Sequence, residues 1–447
     1  MLLALALPGG GAATPELATV KQIPELMEVF KVDGLAVAAV SGDEILVSAG
    51  YGVLANGDAY TSTSSCGLYS ATKVLASLTY ARLSQDGHID LNAPLGEYLA
   101  DAPEHWRDIP FFRLLNHTSG IAMAVNKPEF ADIASNPEAG NKDIYHLVKA
   151  APLDYQPGEF SRYRQSGYAV GEFILRGTLG AGFDALVERY ITKPAGMVNT
   201  QHPASTDKTR PSLIVSAGGY ETTAGDMARL FLRINDGTVI DASYWKNLLL
   251  DERYLFDGYS LGNTTENRNG VLTLGHSGGG ARANLRYAPD RQVGVMACTD
   301  DTQNNWLAIA LTRMLIQEIT SGESPPQPLF VALADYESMT GAEVVTAYRA
   351  AAKQGRRYDL SDGEGLLNSI GYGFLSRELT RDALEVFALN AELFPKSPNT
   401  HDSLGEALLA SGDRAAALIQ YQKVLALDPG NAHASEMVDK IQSPGDP

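Results

Sequence analysis

Ser70-Ala71-Thr72-Lys73-Val74-Leu75 begins the most informative stretch of this 447-residue chain. Apolar residues then recur at helical spacing until Gly87, a residue type that commonly ends helices. The recurring residues are Val74, Leu75, Leu78 and Ala81. This spacing predicts an apolar helix that opens at Ser70 and stops at Gly87, with a hydroxyl and an amine in its first turn.

The spacing of Ser70 and Lys73 has a chemical meaning. Residues three apart in a first turn share one face of the helix. The free backbone N–H groups and the helix dipole favour negative charge there, which suits an oxyanion. Apolar surroundings lower the pKa of a lysine, so that its neutral amine can accept a serine proton. A serine nucleophile is therefore predicted, although an N-cap serine beside a surface lysine has the same spacing.

The Ser-x-x-Lys pattern occurs twice more, at residues 205–208 and 243–246. The first copy lies in a polar, proline-flanked loop, and the second begins an ordinary helix. Other motifs accompany only Ser70. They are LLNHTSG at 114–120, PGEFSRYRQSGY at 157–168, TTAGD at 222–226 and GHSGGG at 275–280.

The order and spacing of these motifs resemble the serine β-lactamase and penicillin-binding-protein superfamily. Within it, they resemble the class C-like branch of β-lactamases, D-alanyl-D-alanine carboxypeptidases and esterases. The resemblance covers residues 20–320. It implies an α/β fold, in which an antiparallel sheet flanked by helices lies beside an all-helical subdomain. An α-helical repeat tail is predicted to follow.

The resemblance also implies roles for the matching residues. Ser70 would be the nucleophile, with Lys73 as its proton partner. Tyr163 would be the general base in acylation and the acid towards the leaving group. The backbone N–H groups of Ser70 and Gly279 would form the oxyanion hole. His276, Ser277 and Gly278 would be the family's Lys-Thr-Gly element, on the strand that edges the cleft.

Two positions depart from the family pattern. Gln165 stands where the family usually has Asn, whose amide holds the acylamido group of β-lactams and peptides. The longer side chain shifts that hydrogen bond and weakens a β-lactamase assignment. His276 stands in place of Lys, and an imidazole titrates near pH 6.5. We therefore expect activity to change between about pH 5 and 8 through His276.

Together these features predict a serine hydrolase that forms a Ser70 acyl-enzyme with a small-molecule ester, amide or peptide, without a metal or organic cofactor. Carboxylic esters are the favoured substrates, which predicts a carboxylesterase. D-alanyl-D-alanine carboxypeptidase, D-aminopeptidase and β-lactamase activities are alternatives. A ligand-capturing sensor or binding protein, with partner contacts through the repeats, is a further alternative.

The segment 275–279 also has the Gly-x-Ser-x-Gly pattern of an α/β-hydrolase nucleophile elbow centred on Ser277. An elbow must run from a strand into a helix, whereas a second strand is predicted here. Elsewhere, His117 is predicted to be a hydrogen-bonded structural residue, and Asn141 to belong to an ordinary loop.

Strands are predicted at 35–40, 45–49, 271–274, 283–287 and 293–298, with a closing helix at 306–319. Early and late strands around a helical middle predict one sheet completed by both ends of the segment. The predicted divisions are a signal remnant or leader at 1–15, a hydrolase domain at 16–320, a proline-rich linker at 321–330 and a helical domain at 331–447.

A 34-residue repeat appears in the last region. It pairs Gly371 with Gly405, Ala383 with Ala417, Phe387 with Tyr421, and Pro395 with Pro429. These are the small, aromatic and helix-stopping positions of a tetratricopeptide repeat. Two such hairpins are predicted between residues 365 and 431, with a helix at 342–352 as a further layer. They offer a surface for a protein partner or for self-association.

Composition limits the partners and the location. The net charge of −18 argues against nucleic acid and anionic membrane surfaces, and no tract is long enough to span a bilayer. The apolar, small-residue start favours export to the periplasm or the medium over the cytoplasm. Cys66 and Cys298 lie in apolar contexts, which predicts buried free thiols rather than a disulfide.

Overall fold

A computed structural model describes residues 17–203, 209, 211–300 and 306–443. The predicted leader and the Ser-x-x-Lys copy at 205–208 lie outside the described residues. The chain forms two compact units, residues 1–325 and 326–447.

A seven-stranded antiparallel sheet forms the centre of the first unit, in the order β2-β1-β9-β8-β7-β6-β5. Its strands are β1 (Gly34–Ser41), β2 (Glu44–Gly52), β5 (Tyr259–Ser260), β6 (Asn263–Arg268), β7 (Val271–Gly278), β8 (Ala283–Ala288) and β9 (Val293–Thr299). A separate two-stranded pair joins β3 (Cys66–Gly67) to β4 (Glu221–Thr222). Because β1 pairs with β9, both ends of the segment complete one sheet. The predicted α/β fold with an antiparallel sheet flanked by helices is confirmed.

Helices cover both faces of this sheet. The longer ones are α1 (Ala18–Val29), α2 (Thr72–Gln85), α3 (Asn141–Lys149), α4 (Ser166–Leu179), α5 (Ala224–Asn235), α6 (Ala242–Leu250) and α7 (Leu307–Ser321). Short helical turns occupy Leu95–Tyr98, Phe112–Leu115, Phe130–Ser135, Phe183–Val187 and Lys193–Ala195. The Asn284 side chain on β8 donates a hydrogen bond to Thr312 on α7, so α7 lies on the face of the sheet to which Asn284 points. Ala297 of β9 is the cross-strand partner of Asn284 and points to the same face. Phe231 of α5 packs against Gly294, on the opposite face.

Two strands of the seven-stranded sheet were not predicted from the sequence. β5 and β6 lie at the edge of the sheet, beside β7. The β6 sequence NTTENR is polar and lacks the apolar alternation by which strands are recognised. Its Glu266 carboxylate pairs with Arg286 of β8 and Arg313 of α7, a partly buried network that anchors this edge to α7.

The cysteines are a correction. Cys66 and Cys298 are buried, as predicted, but they form a disulfide rather than two free thiols. They are 232 residues apart in sequence, yet β3 lies against β9 and brings their Cα atoms within 6.3 Å. That distance is normal for a disulfide. Composition and local context could not reveal this proximity, because it depends on the strand order.

The second unit contains α8 (Gly341–Ala352), α9 (Gly363–Leu375), α10 (Thr380–Leu393), α11 (Pro398–Ala410), α12 (Arg414–Leu427) and α13 (Ala432–Gln442). A short parallel pair joins β10 (Gln327–Pro328) to β11 (Tyr358–Asp359). Gly371 lies directly against Phe387, and Gly405 lies against Tyr421 in the same way. The absence of a side chain at both glycines lets neighbouring helices approach.

None of the helices in the described part of the chain combines the length and the apolar character that a membrane crossing requires.

The disulfide yields a test of this fold. We expect the denatured protein to show no thiol reactive towards Ellman's reagent until a reductant is added. The double substitution Cys66→Ala/Cys298→Ala should lower the free energy of unfolding by about 2–5 kcal/mol, because it releases a long covalent loop. Urea denaturation measures this difference. Two thiols that react before reduction would contradict the pairing.

Candidate active site

Ser70 lies at the entrance to α2. A single 3₁₀ turn, Tyr69–Ala71, runs directly into that helix, so the predicted helix opens with a tighter first turn. Tyr69 has a φ of +47°, a left-handed conformation that is uncommon for a non-glycine residue. Backbone hydrogen bonds from Leu68 to Tyr220 and from Ala71 to Leu68 hold this turn. Ser70 is thus presented by a constrained backbone.

Lys73 is fully buried beneath it. Its Nζ donates a hydrogen bond to the carbonyl oxygen of Ala217. The same nitrogen lies 4.8 Å from the ring centroid of Tyr163 and 5.3 Å from that of Tyr168. Burial lowers the pKa of Lys73 to about 7. A substantial fraction of its side chain is therefore a neutral amine at physiological pH.

Tyr163 connects this amine with the serine. The Ser70 hydroxyl lies close enough to the Tyr163 phenol to influence its pKa. Burial raises the pKa of Tyr163, and the neighbouring Ser70 hydroxyl opposes that shift. Tyr163 is therefore a neutral phenol at neutral pH, whereas the general-base role that the resemblance implies for it would require the phenolate.

His117 and Arg164 hold the Tyr163 segment in place. The His117 ring lies 4.5 Å from the Tyr163 ring, and its Nδ1 accepts a hydrogen bond from the Arg164 backbone N–H at 3.1 Å. The Arg164 side chain forms an ion pair with Asp154 and donates to the carbonyl oxygen of Ile121. Burial lowers the pKa of His117 well below its usual value, so the ring is neutral. These contacts agree with the structural role predicted for His117.

The end of β7 forms the opposite wall. A Cβ atom placed on Gly278 would lie 2.1 Å from the Leu68 carbonyl oxygen and 3.0 Å from the Ser70 nitrogen. Only glycine allows β7 to approach the Ser70 backbone this closely. Gly279 follows with a φ of +59°, directly over the Tyr69 ring. The structure thus brings the two segments of the predicted oxyanion hole, at Ser70 and Gly279, into contact.

His276 lies on β7 facing the tyrosines, 5.9 Å from the Tyr163 ring. Its Nδ1 lies 2.5 Å from the carbonyl oxygen of Ser277, which can only accept, so Nδ1 carries the proton. Burial, reinforced by the charge of Lys73, lowers the pKa of His276 to about 3. The expectation that His276 titrates between pH 5 and 8 is therefore wrong, because the sequence does not show how deeply this ring is buried.

Ser277 and Gln165 have less central positions. Ser277 pairs with Asn284 across β7 and β8, so the Gly-x-Ser-x-Gly segment runs from strand to strand and lacks the helix of a nucleophile elbow. Gln165 precedes the first residue of α4. Its Oε1 is buried and has no hydrogen-bond partner among the described residues. An N–H group from a bound molecule would satisfy such an acceptor.

Sequence reasoning missed three neighbours of Lys73 and Tyr163. Tyr168 ends the motif at 157–168, and no function was predicted for it. Its ring packs beside the Lys73 amine. Tyr259, on β5, contacts the rings of His117, Tyr163 and His276. Ala217 contributes only its backbone carbonyl, which no side-chain pattern can signal.

The arrangement is equipped for acyl transfer. A serine hydroxyl, a phenol and an amine with a lowered pKa meet beside two backbone segments that can donate N–H groups. These are the components that nucleophilic attack on a carbonyl and stabilisation of the resulting oxyanion require.

Comparisons with known proteins agree on the fold. The family model described as Beta-lactamase matches residues 21–316. D-alanyl-D-alanine-carboxypeptidase/endopeptidase AmpH of Escherichia coli K12 is 23% identical over 267 residues, which cover 50% of this chain and 68% of that protein. An octameric penicillin-binding protein homologue from Pyrococcus abyssi aligns with a TM-score of 0.57 at 18% identity, over 72% of this chain and 81% of its own.

A D-stereospecific amidohydrolase from Streptomyces sp. aligns with a TM-score of 0.53 at 19% identity, over 69% of this chain and 100% of its own. At these identities the solved structures show the fold alone. The family model, in contrast, matches well over half of the chain. The chain belongs to the beta-lactamase family.

Proposed function

We propose that this protein hydrolyses small acyl substrates through a covalent Ser70 acyl-enzyme. The observation that carries the proposal is the grouping of three residues. The Ser70 hydroxyl is near enough to Tyr163 to influence the pKa of its phenol, and the buried Lys73 amine, with a pKa of about 7, lies 4.8 Å from the same tyrosine ring.

In the proposed acylation step, Ser70 Oγ bonds to the substrate carbonyl carbon and its proton passes to neutral Lys73, with Tyr163 as the relay. The carbonyl oxygen becomes an oxyanion held by the backbone N–H groups of Ser70 and Gly279. The bond to the leaving group then breaks, and that group takes the proton returned through Tyr163. Water attacks the acyl-enzyme in the same manner, which releases the acid and regenerates Ser70.

Carboxylic esters are the first substrate class we propose. The departures at Gln165 and His276 support it, because both alter the side chains that resemble the amide-binding elements of lactamases. We further place the chain in the class C-like branch, on the order of its motifs. Because its pKa is low, His276 is neutral at physiological pH. It would therefore provide a polar ring rather than a second cation in the cleft.

D-amino-acid amides and D-alanyl peptides are the second class. Two observations favour them: the carboxypeptidase and amidohydrolase names of the similar proteins, and the buried Gln165 Oε1, which an amide N–H could satisfy. β-Lactams are a third class, and a ligand-capturing sensor is the remaining alternative.

The C-terminal unit is proposed to be a tetratricopeptide-like domain at residues 331–447, after a linker at 321–330 and a hydrolase domain at 16–320. The equivalent contacts of Gly371 with Phe387 and of Gly405 with Tyr421 support the repeat. Such repeats would serve a protein partner or self-association.

Export to the periplasm or the medium is proposed as well. The Cys66–Cys298 disulfide supports it, because disulfides persist mainly in oxidising compartments.

A hydrolysis panel tests the activity. We expect purified protein to hydrolyse p-nitrophenyl esters most efficiently, with a D-alanyl peptide and a D-phenylalanine amide next and nitrocefin last. Ser70→Ala should reduce every measurable rate by at least about 10³-fold, because it removes the nucleophile. Ser277→Ala is the matched control and should still hydrolyse the substrates at a measurable rate, because Ser70 is intact. Turnover that survives Ser70→Ala but disappears with Ser277→Ala would overturn the proposal.

The pH profile tests the role of Lys73. Its amine must be neutral to accept a proton, so kcat/KM for an ester should rise with pH to a plateau, with a midpoint near the Lys73 pKa of about 7. His276→Gln should leave this midpoint in place, because an imidazole with a pKa of about 3 is already neutral there. A midpoint that follows the His276 substitution would show that the wrong group has been assigned.

A further inference from the structure

The carbonyl that holds Lys73 belongs to a segment outside every motif identified in the sequence. Ala217, whose oxygen accepts the Lys73 hydrogen bond, ends a stretch that starts at Ile214. Ile214 has a φ of +53°, a strained conformation for a β-branched residue. Such a conformation persists only where surrounding contacts impose it. The contacts that impose it here come from α4 and from the start of α3.

Glu172 of α4 provides the first set of contacts. Its Oε1 accepts hydrogen bonds from the backbone N–H of Ser216 at 2.6 Å and from the Ser216 hydroxyl at 2.5 Å. Its Oε2 accepts one from Asn141 Nδ2 at 2.5 Å. Asn141 is the first residue of α3, so its predicted place in an ordinary loop is wrong. Its Oδ1 also accepts the backbone N–H of Ile214 at 2.9 Å. The segment 214–217 is therefore clamped at two points.

A carboxylate at this position is costly. Glu172 is buried on α4, and neither Arg176 of the same helix nor any other Lys or Arg forms an ion pair with it among the described residues. Burial raises the pKa of Glu172 to about 7, while the hydrogen bonds from Ser216 and Asn141 oppose that shift. Helix packing alone would be served at least as well by an apolar side chain.

We propose that Glu172 and Asn141 are positioning residues for Lys73, which they serve by clamping the segment 214–217 so that the Ala217 carbonyl orients Nζ towards Ser70. The inference rests on the proton-accepting role proposed for Lys73. When the amine donates one hydrogen to Ala217, its lone pair is left to meet the proton of Ser70. Displacement of a catalytic group by about 1 Å can cost on the order of 10²-fold in rate.

Charged and titratable groups surround both Lys73 and Glu172. Lys73 is faced by Tyr163 and Tyr168, whose rings lie near Nζ, and by the neutral imidazoles of His117 and His276. Glu172 is faced by the phenols of Tyr80 and Tyr220. Burial accounts for the lowered pKa of Lys73. The influence that we propose for Glu172 acts instead through the backbone of the segment 214–217.

An exchange of the two side chains tests the clamp. In Glu172→Gln, the new amide nitrogen faces Asn141 Nδ2, so two donors meet. Rotation of the Asn141 amide does not help, because its nitrogen would then face the Ile214 N–H. In Glu172→Gln/Asn141→Asp, the carboxylate introduced at position 141 accepts from both the amide introduced at position 172 and the Ile214 N–H. The exchange therefore restores every hydrogen bond without changing the net charge.

We expect Glu172→Gln to lower kcat for the best substrate of the panel by about 10- to 100-fold, with KM changed less than about threefold, and to move the acid midpoint of kcat/KM. The double variant should recover kcat to within about threefold of wild type and restore the midpoint. Ser216→Ala, which removes one donor only, is a milder variant should Glu172→Gln fail to fold, and it should lower kcat in the same direction. Circular dichroism confirms folding at the assay temperature, and the exposed Glu97→Gln is the control for charge.

The clamp is refuted if folded Glu172→Gln and Ser216→Ala keep the kcat and midpoint of wild type. It is equally refuted if the exchange variant is no better than Glu172→Gln. Either result leaves the Ser70 acyl-enzyme intact, provided that Ser70→Ala is inactive. Activity that persists in Ser70→Ala instead removes the proposed function itself.

Discussion

The burial of the Lys73 amine is the constraint on which the rest of the site depends. A lysine side chain taken out of water holds its proton less tightly, and here the result is a pKa of about 7 without help from a neighbouring cation. The site therefore obtains a base near neutral pH from desolvation alone. A buried amine also requires a hydrogen-bond acceptor. The Ala217 carbonyl oxygen accepts one hydrogen bond from Lys73 Nζ. Tyr163 and Tyr168 close the surface around the amine.

The sheet positions this site because the backbone of β7 lies close to the backbone of the Ser70 turn. β7 can approach the Ser70 turn only because Gly278 has no side chain, and β3 is tied to β9 by the Cys66–Cys298 disulfide. Ser70 is thus held from both sides by elements that are distant in sequence. A preorganised oxyanion site needs this rigidity, since donors that must move at the moment of reaction lose most of their advantage.

Much of this arrangement could be predicted from sequence. The apolar runs predicted β1, β2 and β7–β9, and the apolar spacing after Ser70 predicted α2. The polar strand β6 could not be recognised, because its side chains lie in an ion-pair network rather than an apolar core. The disulfide, the low His276 pKa and the Glu172 clamp all depend on burial and proximity across long sequence separations. Local patterns carry no information about those quantities.

In the proposed reaction, Ser70 carries the acyl group. The most direct measurement is intact-protein mass spectrometry after brief reaction with a fluorophosphonate, followed by peptide mapping of the labelled residue. We expect one adduct per chain, on the peptide containing Ser70, and we expect it to form faster above pH 7 than below it because Lys73 is then neutral. An adduct on Ser277, or efficient ester turnover that persists after Ser70 has been fully labelled, would contradict this role of Ser70.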